Sequence, residues 1–245
     1  QNDRVVFGAV GNGGNSLAAD GDIIAAKVAN ELAYYSGCNG MDCEDIERIL
    51  AGVQGKIDFQ VLQSSQHVRG FAFREDLETL LQYFWIRTQR SQFDPEKLER
   101  IRNWHHTHLV NQMANPTVAY RHSFQQMIWN NNIRHEPMTI NHLEQFDLQK
   151  SKQFYKKIFE PAADMTYFFV GPFTMSFIQP LILKYIGGLP KSMPRQAIDR
   201  GDRLYTGKHS KVLNIGTDPK GRYRMHTVCR GSFDSDQRFS INYLS

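Results

Sequence analysis

The stretch Val5-Val6-Phe7-Gly8-Ala9-Val10, continuing through Gly11-Asn12-Gly13-Gly14 to Asp22-Ile23-Ile24-Ala25-Ala26-Lys27-Val28-Ala29-Asn30-Glu31-Leu32-Ala33-Tyr34-Tyr35-Ser36-Gly37, decides how the rest of the chain is read. Its β-rich opening predicts a strand, and the glycines predict a turn that needs positive φ or close backbone approach. Asp20 or Asp22 can then cap a helix in which Ile24, Val28, Leu32 and Tyr35 recur at i, i+4, i+8 and i+11 before Gly37 stops it.

Working outward, residues 41–51 predict a short second helix. Residues 56–63 and 67–73 alternate as two strands joined at Ser64-Ser65-Gln66, a hairpin. Helices are predicted over 74–87, 94–114 (Asp94 as cap, Pro95 at the first helical position), 117–129, 139–146, 147–159 and 175–186. Between the last two, residues 164–171 predict a buried strand. The order implies an α+β fold, with helices packed on one face of a mainly antiparallel or mixed sheet. Domain bounds are expected at 1–190 for the main body, 191–207 for a linker rich in charge and turn residues, and 208–245 for the first strands of a truncated second domain, including strand-like pieces at 211–215 and 222–230.

The 245 residues are 41% hydrophobic and 22% charged, which suits a folded globular chain and excludes disorder and a disulfide-stapled miniprotein. No run is long and apolar enough to span a bilayer. The net charge of +4 is unevenly spread: residues 191–230 hold ten Lys/Arg against three Asp/Glu, whereas 1–190 carry −2. A phosphate-tracking surface over the whole body is therefore not expected, and no nucleic-acid partner is assigned. Cys38 and Cys43 could pair, leaving Cys229 over.

Several local patterns invite sharper readings. His105 and His108, spaced i, i+3, could hold a transition metal, but the bland reading of hydrogen-bonded histidines is favoured because no third ligand accompanies them. Tyr83-Phe84-Trp85, and Tyr120, Phe124 and Trp129, have the helical spacing of core residues rather than base-stacking platforms. The glycines at 11, 13 and 14 lack the Lys-Ser/Thr of a phosphate loop. Ser64-Ser65 with His67 has no activating acid. Arg222, Arg224 and Arg230 read as a solvated face or one that meets a further domain, ahead of a nucleic-acid contact.

The order of phrases then carries a resemblance. Gly13-Gly14-x-Ser16, Arg74-Glu75-Asp76-Leu77, Phe93-Asp94-Pro95-Glu96-Lys97-Leu98-Glu99-Arg100, Asn115-Pro116, Met138-Thr139, Asp147-Leu148, Phe154-Tyr155 and Tyr167-Phe168-Phe169-Val170-Gly171 through Leu189-Pro190 succeed one another in a way that resembles the pitrilysin/insulysin and mitochondrial-processing-peptidase family of zinc metallopeptidases. The stretch 198–216 resembles the lead into that family's next repeat. The resemblance implies that a strand of the repeat precedes Gln1 and that the chain comes from something longer.

In active repeats of the family the first helix carries H-x-x-E-H, two zinc-binding histidines around a water-activating glutamate. Aligning Gly37 with the glycine after that helix lays Val28-Ala29-Asn30-Glu31-Leu32 on the signature, with Val28 and Leu32 in the ligand places and Thr107 or His108 near the third. No catalytic residue and no metal are therefore expected in this segment, which should be inactive alone; zinc is expected in a catalytic repeat elsewhere in the parent. The resemblance implies a non-catalytic repeat walling a peptide-degrading chamber, in contact with other repeats and with peptide substrate, in a periplasmic or secreted enzyme. The alternative is an inert scaffold or partner-binding subunit of the same fold. Residues 5–10 and 56–63 are the candidate edge strands for pairing with a peptide.

Overall fold

A computed structural model describes residues 3–113, 115–190 and 193–214, excluding the side chain of Met113. The chain divides into a unit of Gln1–Leu213 and a second of Asn214–Ser245. The expected strand at 222–230, with Arg222, Arg224, Arg230 and Cys229, lies outside the described residues, and residues 211–214 carry no strand.

Four antiparallel strands, β1 (Arg4–Asn12), β2 (Gly55–Val61), β3 (Ser65–Phe73) and β4 (Thr166–Val170), lie in the order β2-β3-β1-β4. The α+β reading is correct, and every pairing among the described residues is antiparallel. Strand alternation sends Val5, Phe7 and Ala9 of β1 into the core with Phe59, Val68 and Ala72, while Arg4, Val6, Lys56, Asp58 and Arg69 face outward. β1 is paired on both sides, so residues 5–10 offer no edge. Among the described residues β4 is an edge strand, with Phe168 42% and Val170 63% exposed, and not the buried strand its β-rich composition suggested.

The inner face is covered by α1 (Ile23–Ser36), α3 (Leu77–Gln89) and α7 (Leu148–Phe159), with α2 (Cys43–Leu50), α4 (Pro95–Met113), α5 (Pro116–Ile128), α6 (Ile140–Leu143) and α8 (Met175–Tyr185) around them. Ile24, Val28 and Leu32 of α1 are buried as their spacing required; Tyr35 is 42% exposed, and Ser36 takes its inward place. Ala25 and Ala29 keep the helix narrow enough for α7 to approach, and Ser151 Oγ donates to the Ala25 carbonyl at 2.9 Å. Gly37 ends α1 at φ 79, where a Cβ would lie 2.0 Å from the Met41 carbonyl. Phe7, Phe59, Phe84 and Phe159 interlock edge-on and stacked at the centre, with ring centroids 5.3 to 6.2 Å apart.

Arginines close the loops over this core. Arg134, nearly fully buried, donates to Asp20 (2.8 Å), Asn15 O (3.1 Å) and Ala18 O (2.7 Å), and so holds the β1–α1 connection. Residues 193–202, without helix or strand, are bonded to the body at several points. Arg195 forks onto the buried Asp164, Ile198 N donates to Ser16 Oγ, Arg200 donates to Ser16 O, and Asp202 accepts from Asn132 and Gln63.

The start of α6 is a capping box in which Thr139 N donates to His142 Nδ1 at 3.2 Å, a contact that requires an unprotonated Nδ1. Burial, opposed by the Glu136 carboxylate, lowers the His142 pKa below its ordinary 6.5. The unfolded chain then binds more protons as pH drops below about 6.5, so this histidine's contribution is present above that value and lost on acidification toward its folded pKa. His142→Gln retains the box without the titration. Comparing thermal midpoints at pH 7.5 and pH 5.0 should show a smaller acid loss in the variant than in the wild type; an equal loss would remove His142 from the acid response.

Candidate functional site

The helix position that the resemblance assigns to metal ligands is filled rather than open. Val28 is 1% and Leu32 0% exposed, each packed in the hydrophobic core. Full burial of a side chain of this size stabilises the fold by roughly 1.5–3 kcal/mol, and neither has a lone pair to offer a cation. The residues present do not fit a zinc ion in this place. Among the described residues, no three His, Cys, Asp or Glu side chains come together as a metal-holding group.

Glu31 lies on the flank of α1, where its Oε2 meets His105 Nε2 of α4 at 2.9 Å. The imidazole is set edge-on to Phe146 (5.7 Å) and Trp104 (4.9 Å). Arg102 fixes this side of α4 by donating to the carbonyls of Leu143 (3.1 Å) and Phe146 (3.0 Å). His108 turns away: it is exposed, stacks on Trp104 with an interplanar angle of 6° and contacts Gln112. Thr107 is exposed and bonds Asn103 O. Of the residues near the expected third-ligand position, neither Thr107 nor His108 reaches α1; His105 does. The i, i+3 spacing placed His105 and His108 on one face, but Trp104 and the packing of Phe146 part them.

Asn30, beside Glu31, is a functional candidate that the sequence reading passed over. Its Nδ2 donates to the Phe59 carbonyl of β2 at 2.7 Å, and its Oδ1 accepts from Arg87 Nη2 at 3.2 Å. Arg87 is 5% exposed, bonds Tyr83 Oη at 3.1 Å and lies over the rings of Phe59 (4.4 Å) and Tyr34 (5.2 Å). An uncharged polar residue in the interior of a mostly apolar helix, between Lys27 and Glu31 as its charged members, was the available signal.

The other candidates resolve physically. Ser65 Oγ and His67 Nε2 are 2.9 Å apart, but Arg69 Nη2 lies 3.1 Å from His67 Nδ1. Arginine can only donate, so Nδ1 must accept and the proton of the neutral ring sits on Nε2, pointing at the serine. This tautomer cannot take the serine proton, the reverse of the arrangement a nucleophile needs. Burial and Arg69 also lower the His67 pKa. In the glycine turn, the N–H groups of Gly13, Asn15 and Ser16 bond the carbonyls of Ser64, Leu62 and Gln63, and that of Gly14 bonds Gln66 Oε1, so none is left to cradle a phosphate. Phe84 is fully buried, and Tyr83, Trp85, Tyr120, Phe124 and Trp129 are half-buried. Cys38 and Cys43 are buried free thiols whose pKa values burial raises.

No family model and no curated protein sequence matches the chain. Solved structures do. The periplasmic protease PqqL from Escherichia coli superposes with a TM-score of 0.68 at 18% identity, over 84% of this chain and 23% of that one. A mutant of the ferredoxin protease FusC, in complex with Arabidopsis ferredoxin, gives 0.68 at 14%, over 84% and 22%. The peptidase M16 inactive domain from Pseudomonas fluorescens gives 0.63 at 16%, over 80% and 47%. The chain thus has the pitrilysin-like fold of M16 peptidase domains, and it spans about a quarter of the first two proteins.

The Glu31–His105 contact is partly buried, with side-chain exposures of 30% and 19%. A double-mutant cycle with Glu31→Ala and His105→Ala, read by urea denaturation, should give a coupling of about 0.5–1.5 kcal/mol. A coupling indistinguishable from zero would mean that the pair does not join α1 to α4.

Proposed function

We propose that the chain is part of a zinc metalloendopeptidase and contributes a non-catalytic repeat that walls the peptide-degrading chamber, touching substrate or the catalytic repeat. The observation that carries this reading is the complete burial of Val28 and Leu32 where an active repeat presents imidazoles. Zinc then belongs to another repeat of the parent. Glu31, a general base without an electrophile, is left to pair with His105 and tie α1 to α4.

In this reading residues 1–190 form the degenerate repeat, 191–207 link it onward and 208–245 begin the next repeat. The link is braced rather than loose: Arg195, Ile198, Arg200 and Asp202 each bond the body. The partners are the other repeats and peptide substrate. A periplasmic or secreted setting is proposed from the likeness to periplasmic PqqL. No described helix is long and apolar enough to cross a membrane. Substrate contact has a physical means in the edge of β2, which among the described residues has no strand beyond it and whose main chain can pair with an extended peptide.

The purified chain, supplied with zinc, should show no chelator-sensitive hydrolysis of a quenched fluorescent peptide. In the full-length protein, glutamine in place of the glutamate of an intact H-x-x-E-H should abolish cleavage, while Glu31→Gln should leave kcat within about twofold. Chelator-sensitive cleavage by the chain alone would overturn the reading. A parent with no intact signature would favour the scaffold.

A further inference from the structure

The edge of β2, free of a neighbouring strand among the described residues, is not equally available along its length. The hairpin bond from Leu62 N to Ser65 O (2.8 Å) and the bond from Phe73 N to Gln54 O (3.2 Å) fix which residues pair inward. Because antiparallel strands alternate between bonded and non-bonded pairs, Lys56, Asp58 and Gln60 turn their peptide groups to β3, and Ile57, Phe59 and Val61 turn theirs outward. Such a row of outward N–H and C=O groups is a template for another strand unless something covers it.

Among the described residues, the partner on this outward row is Asn30, whose Nδ2 holds the central carbonyl of Phe59 at 2.7 Å. The amide is in turn held by Arg87, whose guanidinium is buried, among the described residues, without a carboxylate partner and whose Nε has no hydrogen bond. A buried cation of this kind orients the Asn30 carbonyl oxygen toward itself and thereby aims the NH2 at the strand. An added strand needs that same carbonyl for its own N–H.

We propose that Asn30, positioned by Arg87, is a guard on β2: an extended peptide pairs along this edge only by displacing the Asn30 amide from Phe59. This rests on the reading of β2 as a substrate-contact edge and names the residue that sets how tightly the edge takes a main chain. Asn30→Asp tests it with little change of shape. The carboxylate still receives Arg87, now as an ion pair, but has no proton for Phe59 and is repelled by its carbonyl. Asn30→Ala removes the guard altogether and serves if the aspartate variant folds poorly, with thermal unfolding as the check on both.

The probe is a fluorescein-labelled ten-residue peptide of alternating valine, threonine and lysine, blocked at both ends, titrated into the 245-residue chain by anisotropy, with amide hydrogen exchange across β2. The expected result is binding at least about tenfold tighter to Asn30→Asp and Asn30→Ala than to wild type, a difference of about 1.4 kcal/mol. It should come with slowed exchange at Ile57, Phe59 and Val61 when peptide is present. Equal affinity of all three proteins overturns the guard, as does binding to none. The peptidase assay is independent: a chain that cleaves peptide with zinc sinks the non-catalytic reading and leaves this comparison standing.

Discussion

The aliphatic face of α1 is the constraint on which the other elements depend. Ile24, Val28 and Leu32 are pressed against the sheet and α7, and the small residues Ala25 and Ala29 set how near α7 can come. Interiors are packed to crystal-like density, so a change of volume on this face is felt by every neighbour. Truncating Leu32 to alanine falls in the class of core deletions that cost about 2–5 kcal/mol. Val28 and Leu32, which have no lone pair to offer a cation, therefore supply part of the fold's stability. Histidines placed at positions 28 and 32 would unpack this core.

Around this apolar centre, arginines, two of them buried and Arg195 partly so, perform the joining that in another protein would fall to longer helices or to disulfides. Arg134 gathers the carbonyls of the β1–α1 connection, Arg195 locks the exit segment onto Asp164, and Arg87 orients Asn30. Each satisfies several carbonyl or amide oxygens at once, which the planar, five-donor guanidinium can do and a lysine cannot. A loop with its backbone groups so occupied has few left for ligands. The glycine turn shows this: its N–H groups bond the hairpin and its neighbour Gln66, and its glycines serve local geometry rather than phosphate.

Much of the fold was legible along the chain. The strands and helices lie close to where alternation, capping residues and proline placed them, because those signals act over one or two turns of chain. Ile24, Val28 and Leu32 were marked for the core by a spacing that only a helix brings onto one side. The failures are of another kind. Residues 164–171 looked like a buried strand because aromatic and β-branched content marks any strand, whereas edge or centre depends on which strand arrives alongside. His105 and His108 shared a helix face on paper, yet Phe146, Trp104 and Glu31, from three parts of the chain, gave them different surroundings.

The amino-acid sequence by itself determined the element types, the inward stripe of α1 and the lack of lone pairs at positions 28 and 32, since each follows from covalent structure and local periodicity. Only the tertiary structure decided that among the described residues β1 is interior and β2 an edge, that His105 is the histidine facing Glu31, and that Asn30 spans from Arg87 to Phe59. Those outcomes join residues tens of positions apart, and the free energy that selects them arises when whole faces leave water together, which no window of the chain contains.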